Sequence, residues 1–403
     1  MRIKRITILK NIDYIVGGPI CSVLGLLNRL THPFYKTYLR IPVKELPPKK
    51  ILILKFIGIG TITLASSIVN NIRNTYKDTK IYFLTFRENL EILNILSIAD
   101  KVIIIDPRNP LVLIESITAS LLFCWKEGID IAFDIEFYSK FSTIMSFLSG
   151  ARWRAGFYLP KFWRNSLVNV PVYFNHSRHI LEIFSMFTNT LSIGDQDLCP
   201  KKIETTDRDK SDLLTVLKNY NINDLQKYIA INIHASDLAL SRRWPPDRFA
   251  SLVELFLKEN NEMNIILTGA KNEAPYSQNF LNMLGPGSRQ RVIDLTGKLS
   301  LRQFLTLMSQ LPLFITNDTG PFHMAKAVGA KTISLWGPGS IDLYGPYQKE
   351  KESHDVIYKR YLCSPCLYVY RTEAGYFCGQ KAPCMQEIEP LEVMAAIHRR
   401  LKN

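Results

Sequence analysis

Between Leu313 and Ser340 the chain reads LFITNDTGPFHMAKAVGAKTISLWGPGS, and few architectures accept such a run. Leu313–Thr316 is a short, mainly apolar stretch of the kind shown by a strand buried on both faces. Asn317, Asp318, Thr319, Gly320 and Pro321 are residues that cap and open a helix. That helix runs from about Pro321 to Val328, and Gly329 stops it. Thr332–Trp336 is the next strand, and Gly337–Ser340 a glycine-rich exit loop. The first turn of such a helix has free N–H groups and a positive dipole end, with the Thr319 hydroxyl beside it. His323 is close enough in sequence to add a donor. The set suits a phosphate. An ordinary βαβ turn with a good cap carries the same pattern.

The length of 403 residues allows two or three domains. The charge balance is basic, 50 Lys and Arg against 36 Asp and Glu, which implies an acidic partner. No DNA- or RNA-binding signature accompanies it, so nucleic acid is not the expected partner. A phosphorylated substrate or an anionic membrane surface remains. The seven cysteines are an odd count and do not make a secreted disulfide scaffold. No apolar run is long enough for a membrane span.

Residues 1–46 form a basic, amphipathic leader. Lys10 and Asp13 interrupt its apolar part, and no small-residue cleavage site follows, so it does not read as a signal peptide. Gly17-Gly18-Pro19 predicts a break between two short amphipathic pieces. Such a leader docks on anionic lipid, or else packs on the protein's own surface.

The first folded region, residues 47–195, opens with the apolar run Lys49–Phe56 and the turn Gly58-Ile59-Gly60-Thr61. Helical patterns alternate with Ile81–Phe86, Lys101–Asp106 and Ile129–Phe137, the last a strand ending in carboxylates. Alternation at this spacing means a doubly wound, mostly parallel sheet. The third glycine of a dinucleotide fingerprint is missing. Ligands bind beyond the carboxyl ends of such strands, which places Gly60, Thr61, Asp134 and Glu136 near a site. Ser149–Arg164 is dense in arginines and aromatics; Arg152, Arg154 and Arg164 either receive anionic substrate groups or form a solvated face. The polar stretch from Asp195 to Asp209 reads as a linker.

The second folded region, residues 210–360, starts with a strand at Tyr228. Arg242 and Arg243 follow in a loop where a phosphate would lie, then Pro245-Pro246 and an amphipathic helix. Both halves are thus α/β with open parallel sheets facing a cleft. In the tail, residues 361–403, Cys363, Cys366, Cys378 and Cys384 permit a structural zinc site, a disulfide or free thiols. A closing amphipathic helix spans Leu391–Leu401.

Taken together, NDTGPFH, HAS…RRWPPDRF, ILTG…NE and DLTGKLSL resemble, in kind and order, the ADP-heptose:lipopolysaccharide heptosyltransferase family, glycosyltransferase family 9. The resemblance covers about residues 50–400, and its specific part is the second half. It implies a GT-B fold of two Rossmann-like domains, acceptor-binding first and donor-binding second. It also implies inversion at the sugar carbon, no required cofactor, and a nucleotide-diphospho-sugar donor, usually ADP-heptose. The acceptor is then the lipopolysaccharide core or a related lipid-linked glycan. The protein would sit peripherally on the cytoplasmic face of the bacterial inner membrane.

Carried over by residue, Thr319 and Gly320 would hold the diphosphate, Asp318 would cap the helix or hold a sugar hydroxyl, and His323 completes the motif. Ser236 would lie by the phosphates, Arg242 would neutralise the leaving diphosphate in place of a metal, and Glu273 would meet the nucleoside. Apart from the resemblance, the place of Gly60 beyond a strand end and the arginine-rich stretch make Gly60, Arg152 and Arg154 the candidates for facing the acceptor. In many members an Asp follows the glycine of the first loop as general base; here that residue is Thr61. The resemblance then implies a base moved to Glu136 or Asp134, a different acceptor, or weak catalysis. A non-catalytic nucleotide-sugar-binding protein is the alternative.

Overall fold

The structure is a computed structural model of the 403-residue chain, and it describes residues 13, 15–35, 47–159, 163–194, 196–235, 239–367, 378 and 382–402. The chain divides into two compact units, Met1–Lys201 and Lys202–Asn403.

In the first unit the strands are β1 Lys50–Leu54, β2 Lys80–Phe86, β3 Lys101–Ile105, β4 Ile131–Asp134, β5 Trp153–Tyr158 and β6 Val170–Tyr173. They pair in parallel in the order β3-β2-β1-β4-β5-β6. β1 is apolar along its length because both faces are covered, and Ile51 to Leu54 are all at most 1% exposed. Chain order reverses between β1 and β4, so the loops leaving these two strands open a crevice at the carboxyl edge.

The second unit has β7 Tyr228–Asn232, β8 Asn264–Leu267, β9 Val292–Asp294, β10 Phe314–Asn317, β11 Thr332–Trp336 and β12 His354–Tyr358. Their order is β12-β11-β10-β7-β8-β9, again parallel, with the reversal between β7 and β10. Alternate residues serve opposite faces, as the two-residue strand period requires. Ile229 and Ile231 enter one core with Phe256, Val393 and Ile397; Tyr228 and Ala230 enter the other with Leu213 and Leu307. The helices Pro246–Glu259 and Pro390–Lys402 cover the first of these faces.

Four local expectations change. Gly17-Gly18-Pro19 starts a single helix, Gly17–Tyr35, because Pro is tolerated in a first turn. The strand expected over Ile129–Phe137 is confined to Ile131–Asp134, and the following residues form a tight loop. Within Ser149–Arg164, Trp153–Tyr158 is strand β5. The polar stretch up to Asp209 already contains the start of a helix, Asp207–Lys218, because Thr206 and Asp209 close a reciprocal capping box.

Candidate functional site

The second unit builds its site on the carboxyl edge of β7, β8, β10 and β11. Asn317, at the end of β10, is fully buried, and its amide ties three loops together. Its Oδ1 accepts from the Trp244 backbone N–H at 2.9 Å, and its Nδ2 donates to the His234 carbonyl at 2.9 Å. The loop carrying Arg242 and Arg243 is thereby held beside the helix start Thr319–Gly320.

Thr319 takes an extended conformation at the N-cap of helix Gly320–Ala327 and makes no side-chain cap. Its hydroxyl donates to the Asn317 carbonyl at 3.3 Å. Asp318 is 4% exposed, and its Oδ2 lies 3.8 Å from Arg242 Nη1. Burial pushes the Asp318 carboxyl above its ordinary value, and Arg242 offsets part of that rise. Arg242 thus stands beside the start of helix Gly320–Ala327, where Pro321 has no N–H and the Phe322 N–H bonds the Thr319 carbonyl, leaving the Gly320 N–H and the positive helix end to favour an anionic diphosphate.

Arg243 donates to the Ala235 carbonyl at 3.2 Å and stacks on Tyr276, 4.4 Å from the ring centre. His234 is buried, with Nε2 3.0 Å from Ser277 Oγ. Burial, assisted by Arg243, pulls its pKa down to about 3, so the imidazole is neutral near pH 7. His323 is buried in aromatic packing against Phe322 and Tyr344. Glu273 turns back on its own loop, accepting from the Ala270 N–H at 2.7 Å. Ser236 lies outside the described residues.

The exit loop of β11 closes on this site through Gly339. A Cβ there would come within 2.1 Å of Asp318 Oδ2. Gly339→Ala is therefore expected to destabilise the second unit by about 1–3 kcal/mol. A melting curve of the variant beside the parent checks it.

In the first unit the loop after β1 is held by Glu136. Its Oε1 accepts from Lys55 Nζ at 2.6 Å, and its Oε2 from the backbone N–H groups of Phe56 at 2.7 Å and Ile57 at 3.0 Å. Lys55 is 1% exposed, donates also to the Ile57 carbonyl, and lies over the Phe137 ring. Gly58 has φ 97°, a left-handed value that suits glycine. Gly60 is buried in the next helix, and the Thr61 hydroxyl donates back to the Gly58 carbonyl at 2.8 Å.

Asp134 is 1% exposed and pairs with the fully buried Arg164 at 3.1 Å. Burial pushes its carboxyl up, against the pull of Arg164 and the hydrogen bond from Thr143. What surrounds Glu136, Asp134 and Thr61 is thus a set of internal contacts that shape the loop.

Arg152 and Arg154, expected beside the acceptor, lie at the opposite edge. Arg152 immediately precedes β5, and Arg154 is its second residue. Arg154 is spent on the carbonyls of Leu167 and Ala151. At the carboxyl edge stand instead two arginines that sequence inspection passed over. Arg87 follows β2 and Arg108 follows β3; each places Nε 2.7 Å from Asp106 Oδ2. Burial pushes Asp106 up, but hydrogen bonds and charge from the two arginines outweigh it and hold the carboxyl below its ordinary value. The only sequence signal was their place just past strand ends.

The zinc expectation finds no support. No group of three or more His, Cys, Asp or Glu able to hold a metal ion occurs among the described residues. Cys363, Cys366, Cys378 and Cys384 are free thiols lining one small apolar pocket. Burial, reinforced by the neighbouring thiols, pushes Cys384 up to about 11, so it stays protonated.

A family model described as glycosyltransferase family 9 (heptosyltransferase) matches residues 142–375, more than half of the chain. The chain belongs to glycosyltransferase family 9. It is 25% identical over 179 residues to lipooligosaccharide heptosyltransferase 2 of Campylobacter jejuni subsp. jejuni serotype O:2, covering 44% of this chain and 52% of that protein. The chain thus spans about half the length of this curated relative. The solved ADP-heptose lipopolysaccharide heptosyltransferase II of E. coli superposes with TM-score 0.69 at 17% identity, covering 87% of this chain and 98% of that one. An E. coli heptosyltransferase solved with ADP-2-deoxy-2-fluoro heptose gives TM-score 0.60 at 15% identity, covering 87% and 99%. At such identities the likeness is one of fold, and that fold is GT-B.

Proposed function

We propose that this family 9 member is an inverting, metal-independent glycosyltransferase. It moves a sugar, heptose, from ADP-heptose to a lipopolysaccharide core or related lipid-linked glycan at the cytoplasmic face of the inner membrane. The second unit binds the donor and the first unit the acceptor. The observation that carries this reading is the pairing of Arg242 with Asp318, the residue just before the helix start Thr319–Gly320, in a frame tied by the buried Asn317. An acceptor hydroxyl attacks the anomeric carbon from the face opposite the diphosphate. The carbon–oxygen bond to the diphosphate breaks, its electron pair passes to the diphosphate oxygen, and the hydroxyl proton passes to a carboxylate on the acceptor side. Arg242 and the helix N–H donors stabilise the charge that grows on the leaving group, the role a divalent ion plays elsewhere. Related structures solved with ADP-sugar analogues support the donor class.

One observation favours a second reading, a nucleotide-sugar-binding protein without transfer. Thr61 carries no acid at the first-loop position, and Glu136 is committed to Lys55 and backbone donors. Incubation with ADP-heptose and a truncated lipopolysaccharide acceptor separates the two. Stoichiometric ADP release with a matching mass gain of the acceptor is the result expected. Saturable binding without release would favour the second reading, and no binding of either ADP or ADP-heptose would remove both.

A further inference from the structure

Helix Gly17–Tyr35 is mounted with Gly17, Gly18, Cys21 and Gly25 inward, Leu24 packed against the cluster of Cys21, Ile144 and Leu167, and its other described large apolar residues outward. Gly17, Cys21 and Gly25, four residues apart and on one helix face, are buried. They let the backbone approach helix Lys140–Leu148 and the short helix Trp163–Leu167 closely. A Cβ on Gly17 would come 2.8 Å from Lys140 Cβ, and one on Gly25 2.2 Å from Ser166 Oγ. Asn28 Nδ2 anchors the far end by donating to the Ser166 carbonyl at 2.8 Å. Asp13 anchors the near end, its carboxylate accepting from the Lys140 and Phe141 N–H groups. The opposite side shows Ile20, Val23, Leu26, Leu27 and Leu30, between 40% and 62% exposed.

A second element repeats the pattern. Helix Pro110–Glu127 leaves Leu111, Ile114, Leu122 and Trp125 between 56% and 80% exposed. Both helices flank Lys140–Leu148 on one face of the sheet. Cys124 shares a core with Met145, and Trp125 Nε1 donates to the Leu148 carbonyl at 2.7 Å, while Gly17–Tyr35 packs on the same helix.

Water disfavours so large an apolar surface. Small residues at a helix contact with large ones outside is how helices pack in lipid. Among the described residues no helix is long and apolar enough to cross a membrane, so the arrangement fits one lying on a bilayer. Charge selects the lipid: residues 1–46 hold eight Lys and Arg against two acidic residues, Asp13 and Glu45, and Arg29 and Lys126 are exposed on the two helices.

We propose that helices Gly17–Tyr35 and Pro110–Glu127 together form a docking face for an anionic lipid surface. Leu26, Leu30, Leu111, Ile114 and Trp125 enter the acyl boundary, and Arg29 and Lys126 meet the headgroups. This deepens the peripheral-membrane part of the functional reading and does not depend on the transfer chemistry.

The test is co-sedimentation of the full chain with vesicles of phosphatidylcholine plus phosphatidylglycerol and with vesicles of phosphatidylcholine alone. The full chain is expected to bind the anionic vesicles, more weakly as salt is raised. Leu26→Glu with Leu30→Glu, and separately Leu111→Glu with Ile114→Glu, are each expected to lower the partition by about tenfold or more, the scale of a buried leucine. Their melting temperatures should match the parent, because these side chains point away from the core. Equal partition of parent and variants overturns the proposal, as does absence of binding to anionic vesicles. A solution dimer that these variants convert to monomer, without vesicle binding, would make the face an interface between copies instead. ADP release on a water-soluble acceptor is measured separately, so loss of docking and loss of transfer are read independently.

Discussion

Replacing Glu136 with Gln is expected to destabilise the first unit by about 3–5 kcal/mol, the cost of stranding a buried charge. Lys55 is 1% exposed, and Glu136 Oε1 is its carboxylate partner at 2.6 Å. A glutamine keeps the shape but removes the compensating charge, and its amide N–H₂ opposes either Lys55 or the N–H groups of Phe56 and Ile57. The double variant Lys55→Met, Glu136→Gln should recover most of the loss, since it removes both charges together. Urea unfolding of the four chains of this cycle gives the coupling energy, expected to exceed about 1 kcal/mol. A general base predicts a different result: a large fall in kcat with the unfolding midpoint unchanged. Near-normal turnover in a stably folded Glu136→Gln chain would remove Glu136 from both roles.

Arg242→Ala is expected to reduce the rate of ADP release from ADP-heptose by about 10²–10³-fold, the scale for removing one preorganised stabiliser of developing charge. In the proposed complex the ground state should suffer less, with donor affinity falling about tenfold, because the helix start would still attract the diphosphate. Arg242→Lys should restore only part of the rate, since an ammonium offers a point charge without the guanidinium fork. Arg242→Ala also leaves Asp318 buried without its cation, so its carboxyl, already raised by burial, rises further. Single-turnover rates and ADP titrations of the three proteins measure the two effects separately. An Arg242→Ala chain that turns over within about twofold of the parent would place the leaving-group charge elsewhere.

The strand end, turn and helix start of the proposed donor site were legible because their pattern is local. Asn317 to His323 occupy one strand end, one turn and one helix start, so spacing alone brings them together. The strands around them were legible for the same reason, as buried parallel strands are short apolar runs. Where local pattern was misread, a specific residue explains it. Thr206 and Asp209 cap a helix inside a stretch that looked like linker. Trp153–Tyr158 is a strand although two arginines precede or enter it, because Arg154 finds carbonyl partners and its guanidinium lies over the Phe147 ring.

What the sequence by itself determined is the class of fold and the local frame of the proposed donor site: alternating strands and helices in two halves, and a helix start at Thr319–Gly320 with an arginine-bearing loop preceding it in the chain. What only the tertiary structure decided is which distant groups meet. Asn317 reaches Trp244 across 73 residues and His234 across 83. Glu136 reaches Lys55 across 81. A composition count saw an amphipathic leader, but only packing showed that Gly17 and Gly25 face the protein while Leu26, Leu27 and Leu30 face outward. The physical reason is common to all three. Periodicity and capping are set by neighbours within a few residues, whereas burial and the pairing of a charge depend on which surfaces the folded chain closes over.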